Sequence, residues 1–155
     1  MIDDISIEIL KILQKKARIP NVEVARRVGM APSAVLERIR KLEKSGIIDG
    51  YEVRLNPRHF GRDLVAFVQV TVAEPSGHGD VGKAIARIPE VQEVHYIAGQ
   101  DGYLVKLRVP DPGALQQTVR DKIAAIPSVA STRTSIALST IKETSRFPLG
   151  PEFDT

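Results

Sequence analysis

Two stretches of the chain repeat each other at a distance of 38 residues. Val81, Ile85, Ala86, Ile88, Pro89 and Val91 recur as Val119, Ile123, Ala124, Ile126, Pro127 and Val129. In each stretch an apolar stripe at helical spacing is closed by Ile-Pro-x-Val. Leu64 to Ala73, rich in Val, Phe and Thr, reads as a strand before the first helix, and Val91 to Ile97 as one after it. Tyr103 to Val109 and Val129 to Leu138 flank the second helix, which carries Leu115, Val119, Ile123 and Ile126. A duplicated strand–helix–strand unit specifies a ferredoxin-like βαββαβ arrangement, with four antiparallel strands and two helices on one face. The other face is expected to be exposed and rich in Val, Phe and Leu. Such a face calls for a cover, which predicts dimerisation through it.

The N-terminal third has a different period. Ile5, Ile9, Ile12 and Leu13, with Leu10 beside them, mark an amphipathic helix over 3–17. Asp3 or Asp4 can cap it, Lys15 and Lys16 suit its last turn, and Pro20 stops it. A second, short helix starts at Asn21 as N-cap, buries Val24 and Val28, and ends at Gly29. A third runs from Pro32-Ser33 to about Ser45, with Val35, Ile39 and Leu42 as its stripe and Gly46 beyond it. Three short helices with a Gly-containing turn between the last two fit a helix-turn-helix. Asp49-Gly50, set between apolar residues in Ile47 to Leu55, signals a hairpin wing. The fold class expected is therefore α+β. Residues 1–55 form a winged helix-turn-helix, 56–63 a linker, 64–140 a ferredoxin-like domain and 141–155 a tail.

Charge divides along the same line. The whole chain carries +3, but residues 1–60 hold 12 basic and 8 acidic side chains, net +4, and residues 61–155 hold 10 and 11, net −1. Basicity confined to one module suggests a polyanion partner for that module. On the third helix the stripe leaves Ser33, Ala34, Glu37, Arg38, Lys41 and Lys44 on other faces, with Arg40 to one side. Small residues at the start allow approach to a major-groove floor, and the cations beyond can reach bases or phosphates. In that reading Arg38 and Lys41 contact DNA, Ser33 sits at the helix start, and Arg40 and Lys44 touch phosphates. Asn21 joins them from the preceding helix. The same charges also fit a solvated helix face, and the helix alone does not separate the two.

With no cysteine there is no disulfide, no thiolate metal site and no cysteine nucleophile. No apolar run approaches a membrane span, and the start Met1-Ile2-Asp3-Asp4 is acidic where a signal peptide is basic, so the chain reads as cytoplasmic. Gly77-His78-Gly79-Asp80-Val81-Gly82 spells G-x-G-x-x-G. Pro75-Ser76 separates it from the strand, however, and too little chain follows for a doubly wound sheet. It reads as a flexible strand-to-helix loop. His59, His78 and His95 are not spaced as metal ligands, and neither G-x-S-x-G nor a Walker loop occurs. No catalytic or metal residue and no cofactor is assigned.

Taken in order, these segments resemble the Lrp/AsnC family, the feast/famine transcription regulators, from Asp3 to about Leu149. The resemblance rests on Ile9-Leu10, on Asn21 to Arg26, and above all on Met30 to Gly46 followed by Ile47-Ile48-x-Gly50-Tyr51. In the second module it rests on Gly99 with Tyr103-Leu104-Val105-Lys106, on Ser135 to Ser139 with Ile141-Lys142, and on Phe147-Pro148-Leu149. It implies a DNA-binding transcriptional regulator of double-stranded DNA, acting as a homodimer and in larger homo-oligomers such as octamers. It also implies a small effector, an amino acid or related metabolite, bound between subunits near the loop Ala98 to Tyr103. The residues this assigns to the effector are Tyr96, Gly99, Gln100, Asp101, Gly102, Tyr103, Thr134 and Ser135. An acid and a Gly-rich turn supply an acceptor for an ammonium and N–H groups for a carboxylate. The family pattern has Asp directly before the Tyr; here Gly102 holds that place and Asp101 precedes it. Ala34 and Glu37 stand where many members have Thr and Arg. Siroheme decarboxylases share the two-module architecture, and an enzyme of that kind would set His59, His78 or His95 against a tetrapyrrole. A DNA-binding protein of low sequence preference is the third reading.

Overall fold

The computed structural model describes residues 2–73, 78–99 and 101–150. The chain divides into two compact units: residues 2–54 with 143–150, and Leu55–Lys142.

The first unit is three helices, α1 (Asp4–Lys15), α2 (Asn21–Val28) and α3 (Pro32–Lys44). Asp3 caps α1, its Oδ1 accepting from the Ser6 N–H at 2.8 Å. Pro20, not Asn21, occupies the N-cap of α2, so Asn21 is the first helical residue. Gly29 ends α2 at φ 68°, a left-handed position that glycine adopts without Cβ strain. Ile9, Val24 and Val35 lie fully buried where the three helices meet, with Ile39 beside them.

The hairpin expected over Ile47 to Leu55 is not formed: no strand occurs between α3 and residue 56. A two-residue turn of the kind Asp-Gly favours needs positive φ at both central residues. Neither Asp49 nor Gly50 has it; the left-handed glycine is Gly46, which ends α3. Tyr51 is tied to that helix by a hydrogen bond from its hydroxyl to Glu43 Oε1 at 2.9 Å. Burial, with the Glu43 carboxylate adding to it, pushes the Tyr51 phenol up to about 12. The segment read as a tail also differs from expectation, since 143–150 belongs with this unit. The Gln14 side chain accepts from the Phe147 N–H at 3.2 Å and donates to the Phe147 carbonyl at 3.1 Å.

The second unit opens on a 3-10 turn, Pro57–Phe60, inside the stretch expected as linker. It continues as β1 (Leu64–Val72), α4 (His78–Ala86), β2 (Val91–Ile97), β3 (Gly102–Val109), α5 (Pro112–Thr118) and β4 (Val129–Ile136). The sheet is antiparallel in the order β2-β3-β1-β4, the ferredoxin-like order that the 38-residue repeat implied. The repeated Ile-Pro-x-Val is one turn used twice. Val91 N–H donates to the Ile88 carbonyl at 3.0 Å, and Val129 N–H to the Ile126 carbonyl at 3.2 Å. The second copy puts Ser128 at φ 73°, and it is the one non-glycine with positive φ among the described residues. Ser128→Gly is expected to stabilise the protein by about 0.5–1 kcal/mol by relieving that conformation. An unchanged or lower melting temperature would count against it.

The second helix is not a single α-helix. Leu115, Val119 and Ile123 are spaced by four, and each such step drifts about 40° round a 3.6-residue helix. A π-turn over Val119–Ile123, with Ala124 N–H donating to the Val119 carbonyl at 2.8 Å, absorbs the drift. Leu115 and Ile123 both stay in the core.

The sheet face away from the helices differs from expectation. Ala66, Val68, Val70 and Val72 of β1 and Tyr103, Val105, Leu107 and Val109 of β3 all face the helices. Alternation then sends Gln69, Lys106, Arg108, Arg133, His95 and Glu93 to the outer face with Phe67 and Leu104. The face is mixed, not Val-rich: Val65, Thr71 and Ile97 also lie on it, but Val68, Val70, Val72, Val94, Val105 and Val109 are on the helix side.

Candidate nucleic-acid interface and effector loop

Val35, Ile39 and Leu42 are buried and fix the inward side of α3. At about 100° per residue, Ser33, Glu37, Arg40, Lys41 and Lys44 fall within about 55° of the direction opposite that stripe. All five are exposed. Lys41 pairs with Glu37 at 3.5 Å, both side chains more than two-thirds exposed. Arg40 and Lys44 have no ion-pair partner among the described residues. Ala34 lies on the flank of this face.

Arg38 does not belong to it. It sits more than about 100° from the outward direction. Its Nη1 donates to Asp3 Oδ2 at 2.6 Å and to Ser6 Oγ at 3.1 Å. The Arg38 guanidinium, with the Ser6 N–H, holds the Asp3 carboxyl down at about 2. The sequence placed Arg38 among the groove readers and Arg40 and Lys44 on phosphates; the geometry turns Arg38 toward α1 and leaves the other two outward. On α2, Arg26 and Arg27 both donate to Glu23, holding its carboxyl at about 2. Asn21 begins that helix, half-buried. Neither α2 nor α3 has a side-chain N-cap hydrogen bond, so their first N–H groups find no side-chain acceptor.

In the second unit, Tyr96, Gly99, Asp101, Gly102 and Tyr103 gather at the β2–β3 turn. Gln100 lies outside the described residues. Gly99 turns the chain at φ 79°. Tyr96 and Tyr103 are cross-strand neighbours with ring centroids 5.5 Å apart, edge to face. Tyr103 is buried, whereas Tyr96 is half exposed. Asp101 gives its carbonyl to the Val72 N–H at 2.8 Å and leaves its side chain exposed.

Thr134 and Ser135 are not part of that cluster. They lie on β4, the opposite edge strand from β2, with β1 and β3 between. Ser135 also faces the other side of the sheet from Tyr103, since it pairs with Phe67. The G-x-G-x-x-G segment, expected as a loop, is α4 helix from His78 onward, and Gly82 has a packing role there: a Cβ would meet the Tyr103 ring at 2.8 Å. Gly77 and the His78 side chain lie outside the described residues. His59 stands in the turn before β1, and His95 on the outer face of β2 at 3.4 Å from Glu93, so these two are not brought together. Among the described residues no group of three His, Cys, Asp or Glu could hold a metal, and no helix is long and apolar enough to cross a membrane. Sequence reading missed Asp3 and Ser6 as partners of Arg38. A cap signal was the only trace of the first.

A helix-turn-helix with a cationic outward helix, joined to a ferredoxin-like domain with a Gly-Asp turn, defines a regulator that reads DNA with one unit and binds a ligand with the other. Comparison with known proteins agrees. Residues 2–49 match the winged helix-turn-helix DNA-binding family and residues 65–147 the Lrp/AsnC ligand binding domain. The leucine-responsive regulatory protein of Escherichia coli is 37% identical over 147 residues, 94% of this chain and 90% of that protein. A transcriptional regulator of Neisseria meningitidis, solved in complex with L-methionine, superposes with a TM-score of 0.90 at 31% identity, covering 96% of this chain and 97% of that one. The feast or famine regulatory protein of Mycobacterium tuberculosis, also solved with L-methionine, gives 0.89 at 33%, covering 97% and 100%. The chain belongs to the Lrp/AsnC family of transcriptional regulators.

Proposed function

We propose that the outward face of α3, through Ser33, Glu37, Arg40, Lys41 and Lys44, contacts duplex DNA, and that an amino acid occupying the β2–β3 turn modulates that binding. The observation that carries the first part is the position of Arg40 and Lys44, opposite the buried stripe and without an ion-pair partner among the described residues. The Asn21 and Val22 N–H groups at the start of α2 and the Ser33 N–H at the start of α3 add donors suited to phosphate. For the second part, two relatives were solved with L-methionine, and Asp101 beside Gly99 offers an acceptor for an ammonium. The protein acts as a regulator without a catalytic step, inside the cell, where its DNA is. It works as a homo-oligomer. Leu138 and Ile141 are almost wholly exposed apolar side chains. Thr134 and Ser135 join the Asp101 turn only if a second copy supplies one of the two sets. A dimer would favour half-sites about 34 Å apart.

Two measurements test this. Fluorescence anisotropy with duplex DNA across a salt series should give affinity falling steeply with salt; a flat response would defeat the DNA reading. A thermal-shift screen against free amino acids should give a stabilising ligand for the wild type and none for Asp101→Ala. Equal shifts in both would remove Asp101 from the site.

A further inference from the structure

We propose that Arg38 is a positioning residue that fixes how α3 is presented, by tying it to the N-terminus of α1 through Asp3, and that it does not touch DNA. The proposal rests on the DNA-binding reading above. One carboxylate serves both helices: Asp3 Oδ1 accepts from the Ser6 N–H at 2.8 Å and caps α1, while Oδ2 accepts from Arg38 at 2.6 Å. Ser6, itself buried, offers Arg38 a second acceptor at 3.1 Å. Both bonds leave Nη1, so that end of the guanidinium is anchored at α1 and not left to swing outward. Its side chain is 30% exposed, against 76% for Lys41 one turn on. With the Asp3 carboxyl held near 2, the tie stays charged at every pH at which DNA binding is measured.

The geometry matters for recognition because α3 is held at its core by only one narrow stripe, Val35, Ile39 and Leu42. Rotation about that stripe would carry Ser33 and Glu37 sideways across a groove. Arg38 lies on the flank of the stripe that faces α1 and opposes the rotation. A small misplacement of contacting groups is enough to lose much of an interaction that depends on fixed geometry.

The test uses Asp3→Asn and Arg38→Gln, alone and together, in the full chain. Asn is as good an N-cap as Asp, so the first variant removes the charge and keeps the cap. Anisotropy is read at a temperature where circular dichroism shows all four proteins folded. The probe is a labelled duplex selected from a random pool by the wild type. Each single variant should weaken binding by roughly fivefold, the double variant no more than either single, and the salt slope should stay unchanged. The sign for Asp3→Asn is the discriminating part, because deleting an acidic group near DNA strengthens binding if nothing else changes. Tighter binding by Asp3→Asn, a salt slope lowered by about one in Arg38→Gln, or additive losses in the double variant would each overturn the proposal. If the wild type selects no duplex, the DNA reading fails by itself. The same cycle read by thermal unfolding then decides the tie: non-additive shifts uphold it and additive shifts refute it.

Discussion

Gly102→Ala is expected to destabilise the protein by about 3 kcal/mol or more, lowering its melting temperature by about 10 °C. A Cβ built at Gly102 would stand 1.7 Å from the Val70 carbonyl oxygen, 2.7 Å from its carbon and 3.0 Å from the Thr71 Cα. All three are backbone atoms of β1, which lies between β3 and β4 and carries Val68, Val70 and Val72 into the core. No rotamer change can relieve such a contact. The β1–β3 ladder would have to open where Thr71 faces Gly102 and Val70 faces Tyr103. Gly50, with open space around it and no positive φ, is the control: Gly50→Ala should stay within about 0.5 kcal/mol in urea unfolding. An equally stable Gly102→Ala protein would show that the strand has room that the geometry denies. The result bears on the effector. The resemblance drawn from the sequence expects Asp in this position, and Gly102→Asp restores it in letters. In this backbone the variant should fold worse, not bind better, because position 102 is buried against β1 while the Asp101 side chain is exposed.

Much of this architecture was legible because it is written in periodicity. The 38-residue repeat fixed four strands and their order, and each observed strand lies within two residues of its expected ends. The stripe Val35, Ile39, Leu42 fixed which side of α3 is buried. The hairpin at Asp49-Gly50 was not there because the dipeptide permits a turn without imposing positive φ. The direction of Arg38 depended on an acid 35 residues away, and no local pattern encodes a long side chain's choice of partner. The binding of 143–150 to Gln14 is invisible for the same reason. Thr134 and Ser135 were grouped with the Asp101 turn by family resemblance, which sets the effector between subunits and so does not require one chain to bring both sets together. The outer sheet face was misjudged by counting apolar residues along strands without assigning each to a side.

Replacing Arg40 and Lys44 together by alanine should weaken DNA binding by about 30- to 100-fold at fixed salt and lower the salt slope by about two. Both side chains project from the exposed side of α3, and neither has an ion-pair partner among the described residues. The control is Arg26→Ala with Arg27→Ala, which removes the same two charges from the same unit. Those arginines share the Glu23 carboxylate, at 2.7 and 3.0 Å, so a large part of their charge is already answered within the protein. Deleting them also frees Glu23, and the loss should come through general repulsion with a smaller change in slope. If net charge alone attracted the chain to DNA, the two double variants would lose affinity equally. If α3 is the contacting element, the first loses more, and a footprint that survives in the second should vanish in the first. Glu37→Gln separates position from charge once more. Glu37 lies at the centre of the outward face beside Lys41, where a carboxylate can accept from a cytosine amino group and repels every phosphate. Its amide should bind random duplex more tightly and the selected duplex no better, so that discrimination between them falls. Unchanged discrimination would place Glu37 outside the groove and would rotate the contacting face of α3 toward Arg40.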